Sequence, residues 1–362
     1  MWIHSAGEDI FANMYIFFVG NAGIGKSRAI NKGAEYYVHI PEHKRGPDSM
    51  TATSLIEALE DRKIGKKDGE EALLDNLGTR NSMYITADEL NAFIHKYDAE
   101  MIAYMCKFYD VRPFLQTRST NQITRFVPMG QLNVAAGTTP VNLLKYMPEN
   151  AWEQGFASRV IMIFSDMRYI VDDFAPIDRT LNDDLIHDLL SIATMSGQFQ
   201  VTEEYRSAVN IWKDSGEEPR PTHPKLMHYA TRRAVHLYKL SMVAAVDRSE
   251  AMVITVDDWN QAKEWLEEAE QAMPDVFKAG AGNADAKAAE EIYHWLLVQG
   301  KNGKLVPEYR LWKFAAEHLP AMSVGRVVEN MVKARQIQKV GTDKRDGYSM
   351  YKAVVPEQDP DI

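Results

Sequence analysis

Residues 20–27 are Gly20-Asn21-Ala22-Gly23-Ile24-Gly25-Lys26-Ser27, which match the phosphate-binding pattern G-x-x-x-x-G-K-[S/T] at every fixed position. The apolar residues 14–19 before this stretch are typical of a buried strand, and residues 27–32 after it are typical of the first turns of a helix. Glycines allow the backbone to fold around phosphate oxygens, and the amides at a helix N-terminus point at negative charge. The alternative is a glycine-rich turn without a ligand, but the strand-loop-helix context favours phosphate binding.

Two polar side chains at the end of this loop predict the bound group. Lys26 would reach the β- and γ-phosphates of a nucleotide, and the hydroxyl of Ser27 would bind magnesium. The pattern therefore predicts ATP and Mg²⁺ as cofactors. The predicted nucleotide contacts are Gly20, Asn21, Ala22, Gly23, Ile24, Gly25, Lys26, Ser27 and Arg28.

Residues 83–89, Met-Tyr-Ile-Thr-Ala-Asp-Glu, end a predicted strand in two acids. Asp88 would bind the magnesium, directly or through water, and Glu89 would polarise the attacking water. Acids also occur at helix N-termini simply as capping residues. Downstream of a complete phosphate loop, the catalytic interpretation is favoured.

A second buried strand, within residues 132–140, ends in the polar pair Thr138 and Thr139. Neighbouring parallel strands place their C-terminal ends on the same edge of a sheet, so either threonine could position water near the γ-phosphate. Thr139 is the favoured candidate. Alternatively, the threonine caps the helix that follows.

Arginines at two further places are candidate phosphate contacts. Arg159 immediately precedes the apolar strand 160–164 and could reach a nucleotide held by a neighbouring subunit, where it would stabilise charge during phosphoryl transfer. The alternative is an ion pair with a carboxylate at the strand entrance. Arg232 or Arg233 opens an apolar helix and could also contact phosphates, with Arg233 favoured; both could equally be solvated.

Strands alternate with helices from residue 14 to about 166, which predicts an α/β fold with a parallel sheet. Within it, 113–126 is a predicted β-hairpin, 63–69 a polar turn, and a helix carrying Leu90 and Phe93 is expected after the strand ending at 87. The predicted domains are an ATPase core at 1–177, a helical lid at 178–277, a linker at 278–285, a second domain at 286–355 and an acidic tail at 356–362.

The second domain contains three predicted helices, 286–299, 308–318 and 323–334, followed by strands at 337–340 and 348–353. This succession resembles a winged-helix domain, in which the third helix enters the major groove of DNA. A fold of this kind that mediates only protein contacts is the alternative. The candidate DNA contacts here are Arg326, Lys333, Arg335, Lys339, Lys344 and Arg345.

Composition narrows the functional classes. The 362 residues carry a net charge of -10, yet residues 285–355 hold 12 lysines and arginines against 8 acids. This uneven distribution permits DNA binding by the C-terminal segment. A single cysteine, Cys106, excludes intramolecular disulfides and cysteine-rich zinc sites, and no apolar run approaches the roughly 20 residues of a membrane helix. A cytoplasmic protein without a membrane partner is expected.

Taken in order, the motifs of residues 14–275 resemble those of an AAA+ ATPase, and residues 83–166 are most similar to the helicase part of phage and plasmid primase-helicase proteins. The step Ser158-Arg159-Val160 is similar to the serine-arginine-phenylalanine step of the minichromosome maintenance helicases, where the arginine acts as a finger. Two departures are that Thr139 stands where many relatives have asparagine, and that no primase domain precedes the loop.

The resemblance implies a homo-oligomeric ring, a hexamer, with ATP between subunits and a pore lined by a hairpin at residues 116–125. Arg118, near the hairpin tip, is the candidate contact with a DNA phosphate; an ordinary exposed hairpin is the alternative. The first functional hypothesis is a phage-type replicative helicase that pulls single-stranded DNA through the pore in the bacterial host cytoplasm, with a primase or another replication protein as partner. The other hypotheses are a helicase loader or replication initiator, and a packaging or protein-remodelling ATPase.

Overall fold

The computed structural model describes residues 1–40, 45–61, 63–64, 80–92, 94, 98–118, 123–147, 151–152, 155–168, 180–221, 223–280, 284–300, 304–342 and 347–354. The chain divides into two compact units, Met1–Gly280 and Ala281–Ile362. In the described part, no helix is both long and apolar enough to cross a bilayer.

The first unit begins with a short antiparallel hairpin that the sequence pattern did not predict. Its strands are β1 (Trp2–Ser5) and β2 (Glu8–Phe11), joined by Ala6 and Gly7, which both have positive φ angles. Ile3 and Phe11 are buried, and Trp2 bridges to Gln198. The hairpin therefore packs as part of the first unit.

A sheet with four parallel strands forms the centre of this unit, so an α/β fold is confirmed. Alternate side chains of the central strands are buried; in the strand Tyr15–Val19, these are Tyr15, Phe17 and Val19. A two-residue antiparallel strand extends the sheet at one edge. The order across the sheet is β4 (Lys63–Ile64), β5 (Arg80–Ala87), β8 (Gly130–Thr138), β3 (Tyr15–Val19) and β9 (Val160–Phe164).

The residue pairing aligns the C-terminal ends of the parallel strands. Val19 is opposite Thr138 on one side and Phe164 on the other, and Ala87 is opposite Ala136. The segments that follow these strands therefore emerge along one edge of the sheet. The helices of this part are α1 (Lys26–Tyr37), α2 (Ala52–Asp61), α3 (Ala99–Tyr109) and α4 (Pro140–Tyr146).

Two local predictions in this region were wrong. Among the described residues after β5, Leu90–Ala92 forms a 3₁₀ turn, and the α-helix that follows begins at Ala99, where Asp98 caps it by accepting from the Met101 amide at 3.0 Å. Phe93 lies outside the described residues. The polar turn predicted at 63–69 begins instead as β4, and its remaining residues are also outside the described part.

The predicted hairpin is present, formed by β6 (Phe114–Arg118) and β7 (Ile123–Val127). Arg125 links the hairpin to α2, because the Arg125 guanidinium donates to Glu57 at 2.7 Å and to Glu60 at 2.8 Å. The tip, residues 119–122, lies outside the described residues.

The helical region that follows packs into the same apolar core as the sheet, within the compact unit Met1–Gly280. A short parallel pair, β10 (Gln200–Val201) and β11 (Val253–Ile254), lies within it. The helices are α5 (Asn182–Thr194), α6 (Glu203–Asp214), α7 (Met227–Ala230), α8 (Arg233–Arg248) and α9 (Val256–Gly280), the last of which packs on β9 and α4.

The second unit has its own core and contains every predicted helix and strand. Ile292, Leu296, Leu311 and Val324 are among its buried side chains. Its sheet is antiparallel in the order β12-β14-β13. Its elements are α10 (Ala284–Gln299), β12 (Val306–Pro307), α11 (Glu308–His318), α12 (Ala321–Lys333), β13 (Ile337–Thr342) and β14 (Ser349–Ala353).

Candidate nucleotide-binding site

The loop between β3 and α1 depends on its glycines for two different reasons. Gly23 and Gly25 have φ angles of 81° and 101°, which glycine adopts without strain. Gly20 has no room for a side chain, since an ideal Cβ would lie 2.1 Å from Cδ1 of Ile24 and 2.3 Å from the carbonyl oxygen of Ser165. The loop is thus folded tightly against the end of β9.

Lys26, the first residue of α1, folds back over this loop. Its Nζ donates to the carbonyl oxygens of Gly20 and Asn21, both at 2.9 Å. Most of the loop is exposed, and the first turn of α1 contains no acidic residue and no side-chain cap. The amides of that turn are therefore available to an anion, with the Lys26 ammonium beside them.

Asp88 and Glu89 follow β5 and are both exposed. Asn31 of α1 donates through Nδ2 to Oδ1 of Asp88 at 3.4 Å. Ser27 lies four residues before Asn31 and so shares its face of the helix. Ser27 therefore lies on the face of α1 that approaches Asp88.

The end of β8 lies between these two segments. Gly20 donates its amide to the Thr138 carbonyl at 3.1 Å. An ideal Cβ on Gly137 would lie 2.4 Å from the Asp88 carbonyl oxygen and 3.4 Å from Cδ1 of Ile30. Gly137 allows this close approach, a role that its position between Ala136 and Thr138 did not reveal in the sequence.

The threonines at the end of β8 are in different environments. Thr138 is buried, and its hydroxyl donates to the Thr139 carbonyl at 3.3 Å. The Thr139 hydroxyl accepts from the Asn142 amide at 3.3 Å and caps α4, which is the alternative left open by the sequence. A hydroxyl that accepts a cap bond can still donate its proton, so water positioning by Thr139 stays a prediction.

Arg159 immediately precedes β9 and lies at the N-terminal ends of the parallel strands, because Val160 pairs with Tyr15 and Phe164 with Val19. The loop lies at the C-terminal ends of the same strands. Its Nη2 donates to Oδ2 of Asp110 at 2.6 Å, and Nη1 donates to the Gly155 carbonyl at 2.7 Å. The ion pair expected as the alternative is present. A role for Arg159 at a neighbouring subunit stays a prediction and requires this pair to exchange.

Asp110 also binds Arg232, whose Nη1 donates to Oδ1 at 3.0 Å. Burial alone would raise the pKa of Asp110, but the hydrogen bond and charge of Arg159, and then those of Arg232, hold it below its ordinary value. One carboxylate thus pairs with two guanidinium groups. Sequence patterns did not indicate this role, since 49 and 122 residues separate Asp110 from its partners.

The assignment of Arg233 to the nucleotide is corrected by the structure. Its side chain is 1 % exposed, and Nε and Nη2 bind the Glu270 carboxylate at 2.7 and 2.8 Å. The carbonyls of Glu217 and Pro219 accept its remaining hydrogen bonds. Since each nitrogen of the guanidinium donates at least one hydrogen bond inside the unit, Arg233 stabilises the packing of α8 on α9.

A second buried polar network, at the N-terminal edge of the sheet, was also missed. Lys239 of α8 donates to the carbonyl and side-chain oxygens of Asn13 at 2.7 and 3.0 Å and lies 4.0 Å from the centre of the Tyr109 ring. Burial lowers the pKa of Lys239 to about 7. His236 contacts Tyr109 at 3.1 Å and Ser158 at 2.9 Å, and burial lowers its pKa to about 3. The network stabilises the packing of α8 against the sheet.

The candidate DNA contacts are only partly described. Arg118 is the last residue of β6, and its side chain lies outside the described residues, as do Lys344 and Arg345. Arg326 and Lys333 are exposed on α12, and Arg335 and Lys339 are exposed after it. Glu329 is exposed on the same helix, so the outer face of α12 carries charges of both signs.

The residues present fit Mg²⁺-ATP. Mg²⁺ usually keeps several waters and takes one or two protein ligands together with phosphate oxygens, which suits Ser27 and Asp88. Among the described residues there is no cluster of three or more histidine, cysteine or acidic side chains placed to hold a metal by themselves. No protein-family model matches the chain, and no curated protein matches it.

Proposed function

We propose that the chain is a magnesium-dependent ATPase of the AAA+ type that acts on DNA as a ring. The observation that carries the ATPase proposal is the meeting of three distant segments, 20–27, 88–89 and 137–139, at one edge of a parallel sheet. Ligand sites in open α/β sheets lie at such an edge.

Each segment supplies a different chemical group. Lys26 would exchange the carbonyls of Gly20 and Asn21 for the β- and γ-phosphates, while Ser27 and Asp88 would hold the magnesium. The metal would neutralise charge that develops on the phosphate oxygens. Glu89 would accept the proton of the attacking water, and the Thr139 hydroxyl would orient that water.

Assembly into a ring, with six subunits as the expected number, is supported by Arg159. This residue follows the motif order of the family that the sequence resembles, and it precedes β9, at the end of the strand far from the loop of its own chain. Its use across a subunit interface would make hydrolysis depend on assembly. Arg159→Ala is expected to abolish hydrolysis while ATP binding is largely kept, and unchanged turnover would remove Arg159 from the site.

ATP hydrolysis by the purified chain, measured with and without Mg²⁺, tests the nucleotide site. Lys26→Ala should lose ATP binding, whereas Glu89→Gln should keep binding and lose turnover. Lys32→Ala is the matched control, because Lys32 is an exposed lysine on the same helix whose recorded ion partner, Glu35, lies on that helix. Equal turnover in Lys26→Ala and Lys32→Ala would refute the proposed site.

DNA is proposed as the substrate because of the hairpin β6–β7 and the positive balance of residues 285–355. The function favoured is a helicase or translocase that moves single-stranded DNA. Strand displacement with ATP, run beside Lys26→Ala, tests it. DNA-stimulated hydrolysis without unwinding would favour a loader or initiator, and hydrolysis indifferent to DNA would favour a packaging or protein-remodelling ATPase.

A further inference from the structure

Three aromatic side chains of the second unit are exposed on one surface. Tyr309 and Trp312 of α11 are 50 % and 41 % exposed, and Tyr348, just before β14, is 47 % exposed. Tyr309 and Trp312 are three residues apart and so lie on the same helix face. The ring centres of Tyr309 and Tyr348 are 5.5 Å apart. These three residues are called the aromatic surface below.

The Trp312 ring is supported on one side and open on the other. An ideal Cβ on Gly325 of α12 would lie 3.4 Å from Cη2 of Trp312, so the ring packs where α12 has no side chain. Met322, three residues before Gly325, is 93 % exposed. Large apolar side chains grouped in solvent mark a binding surface more often than a folding requirement.

Positive charges are interleaved with the rings. Arg310 and Lys313, each adjacent in sequence to one of the α11 aromatics, are exposed. Glu308 lies within 3.5 Å of the Tyr351 hydroxyl, and Glu317 is more than one turn beyond Trp312. Rings for stacking beside cations for phosphates are the combination that binds single-stranded nucleic acid without sequence preference.

We propose that the aromatic surface binds single-stranded nucleic acid, with bases stacked on Tyr309 and Trp312 and phosphates held by Arg310 and Lys313. A purely apolar partner would leave these two cations without a role. The proposal deepens the proposed function by naming the strand form that the second unit holds. It rests on that function only for the identity of the nucleic acid as DNA, because binding here requires no ATP.

Binding of a fluorescent oligothymidine of about 16 nucleotides to the full chain, without nucleotide, tests the proposal. Trp312→Ala should weaken binding by about tenfold or more, and Trp312→Phe should restore much of it because a ring remains. Replacing both Arg310 and Lys313 by glutamine should lower the slope of log affinity against log salt by about 1.4. Thermal unfolding of each variant shows whether the second unit still folds.

Tryptophan fluorescence gives a second readout with a matched control. Trp295 stacks on Phe314 with ring centres 4.7 Å apart and is not part of the aromatic surface. The quenching caused by the oligonucleotide should fall in Trp312→Phe and persist in Trp295→Phe. Equal oligothymidine affinity in the wild type and a folded Trp312→Ala variant would overturn the proposal, as would tighter binding of duplex than of single strand. If the chain does not hydrolyse ATP, the proposed ATPase function is refuted. The oligothymidine binding measurement still tests the aromatic surface, because it is made without nucleotide.

Discussion

Replacing Gly20 by alanine tests whether the tight packing of the loop shapes the nucleotide site. The new Cβ would lie 2.3 Å from the Ser165 carbonyl oxygen and 2.1 Å from Cδ1 of Ile24. The Ile24 side chain can rotate, but Ser165 is held by its amide, which donates to the Val19 carbonyl at 3.1 Å. The loop or the end of β9 must therefore shift by roughly 1 Å, the extra separation that an ordinary carbon-oxygen contact needs.

Overpacking of this kind costs about 1–3 kcal/mol. For a unit of this size, the melting temperature should fall by roughly 2–10 °C. The larger effect is expected on ATP, because the Gly20 and Asn21 carbonyls that now receive Lys26 would move with the loop. Thermal unfolding with and without Mg²⁺-ATP measures both effects, and the stabilisation by ATP should be lost in Gly20→Ala.

Gly33→Ala is the matched control, since Gly33 lies in α1 and an ideal Cβ there meets no atom within 4 Å. It should stabilise the helix by about 0.5–1 kcal/mol and leave ATP binding unchanged. The double variant Gly20→Ala/Ile24→Ala should recover only part of the loss, because the clash with Ser165 remains. Unchanged stability and ATP affinity in Gly20→Ala would refute the reasoning.

Three other substitutions test the surrounding structure. Gly137→Ala should displace the Asp88 backbone, 2.4 Å from the new Cβ, and reduce ATP turnover more than ATP binding; equal turnover would contradict this. The pKa of His236 is about 3 in the folded chain and 6.5 in the unfolded chain, so between these values the unfolded chain binds the proton more tightly. The free energy of unfolding should therefore decrease as the pH is lowered, by about 2 kcal/mol at pH 5. Urea unfolding should show this slope flattened in His236→Gln, and an equal slope would exclude His236 as its source. Arg233→Ala should cost about 3–5 kcal/mol by leaving Glu270 buried and unpaired, and Arg233→Met/Glu270→Leu should recover much of that loss in the same assay.

The sequence pattern correctly predicted the strands and the loop whose conformation is determined by residues adjacent in the chain. Apolar runs predicted β3 and β9, and glycine spacing predicted the loop between β3 and α1, because apolar content and the backbone freedom of glycine are local properties. The hairpin β1–β2 was missed because its strands have only four residues each. The helix expected to carry Leu90 was wrong because a short apolar spacing does not distinguish a 3₁₀ turn from an α-helix.

Partnerships between distant residues could not be predicted in this way. Lys239 and Asn13 are 226 residues apart, and nothing near either residue specifies the other. For Arg233, position at the start of a helix suggested an exposed cation, whereas its pairing with Glu270 is set by how α8 meets α9. Burial of a charge depends on tertiary packing, so sequence spacing gave the wrong environment.

The common core of the sheet and the later helices has a consequence for how occupancy of the loop can be detected. Because α9 packs on β9 and α4 in that core, its central amides should exchange with deuterium mainly when the whole unit opens. A ligand present at 100 times its Kd adds about 2.7 kcal/mol to the opening free energy. Mg²⁺-ATP at one edge of the sheet should therefore slow exchange in α9 by about a hundredfold, although no α9 residue is assigned to the nucleotide.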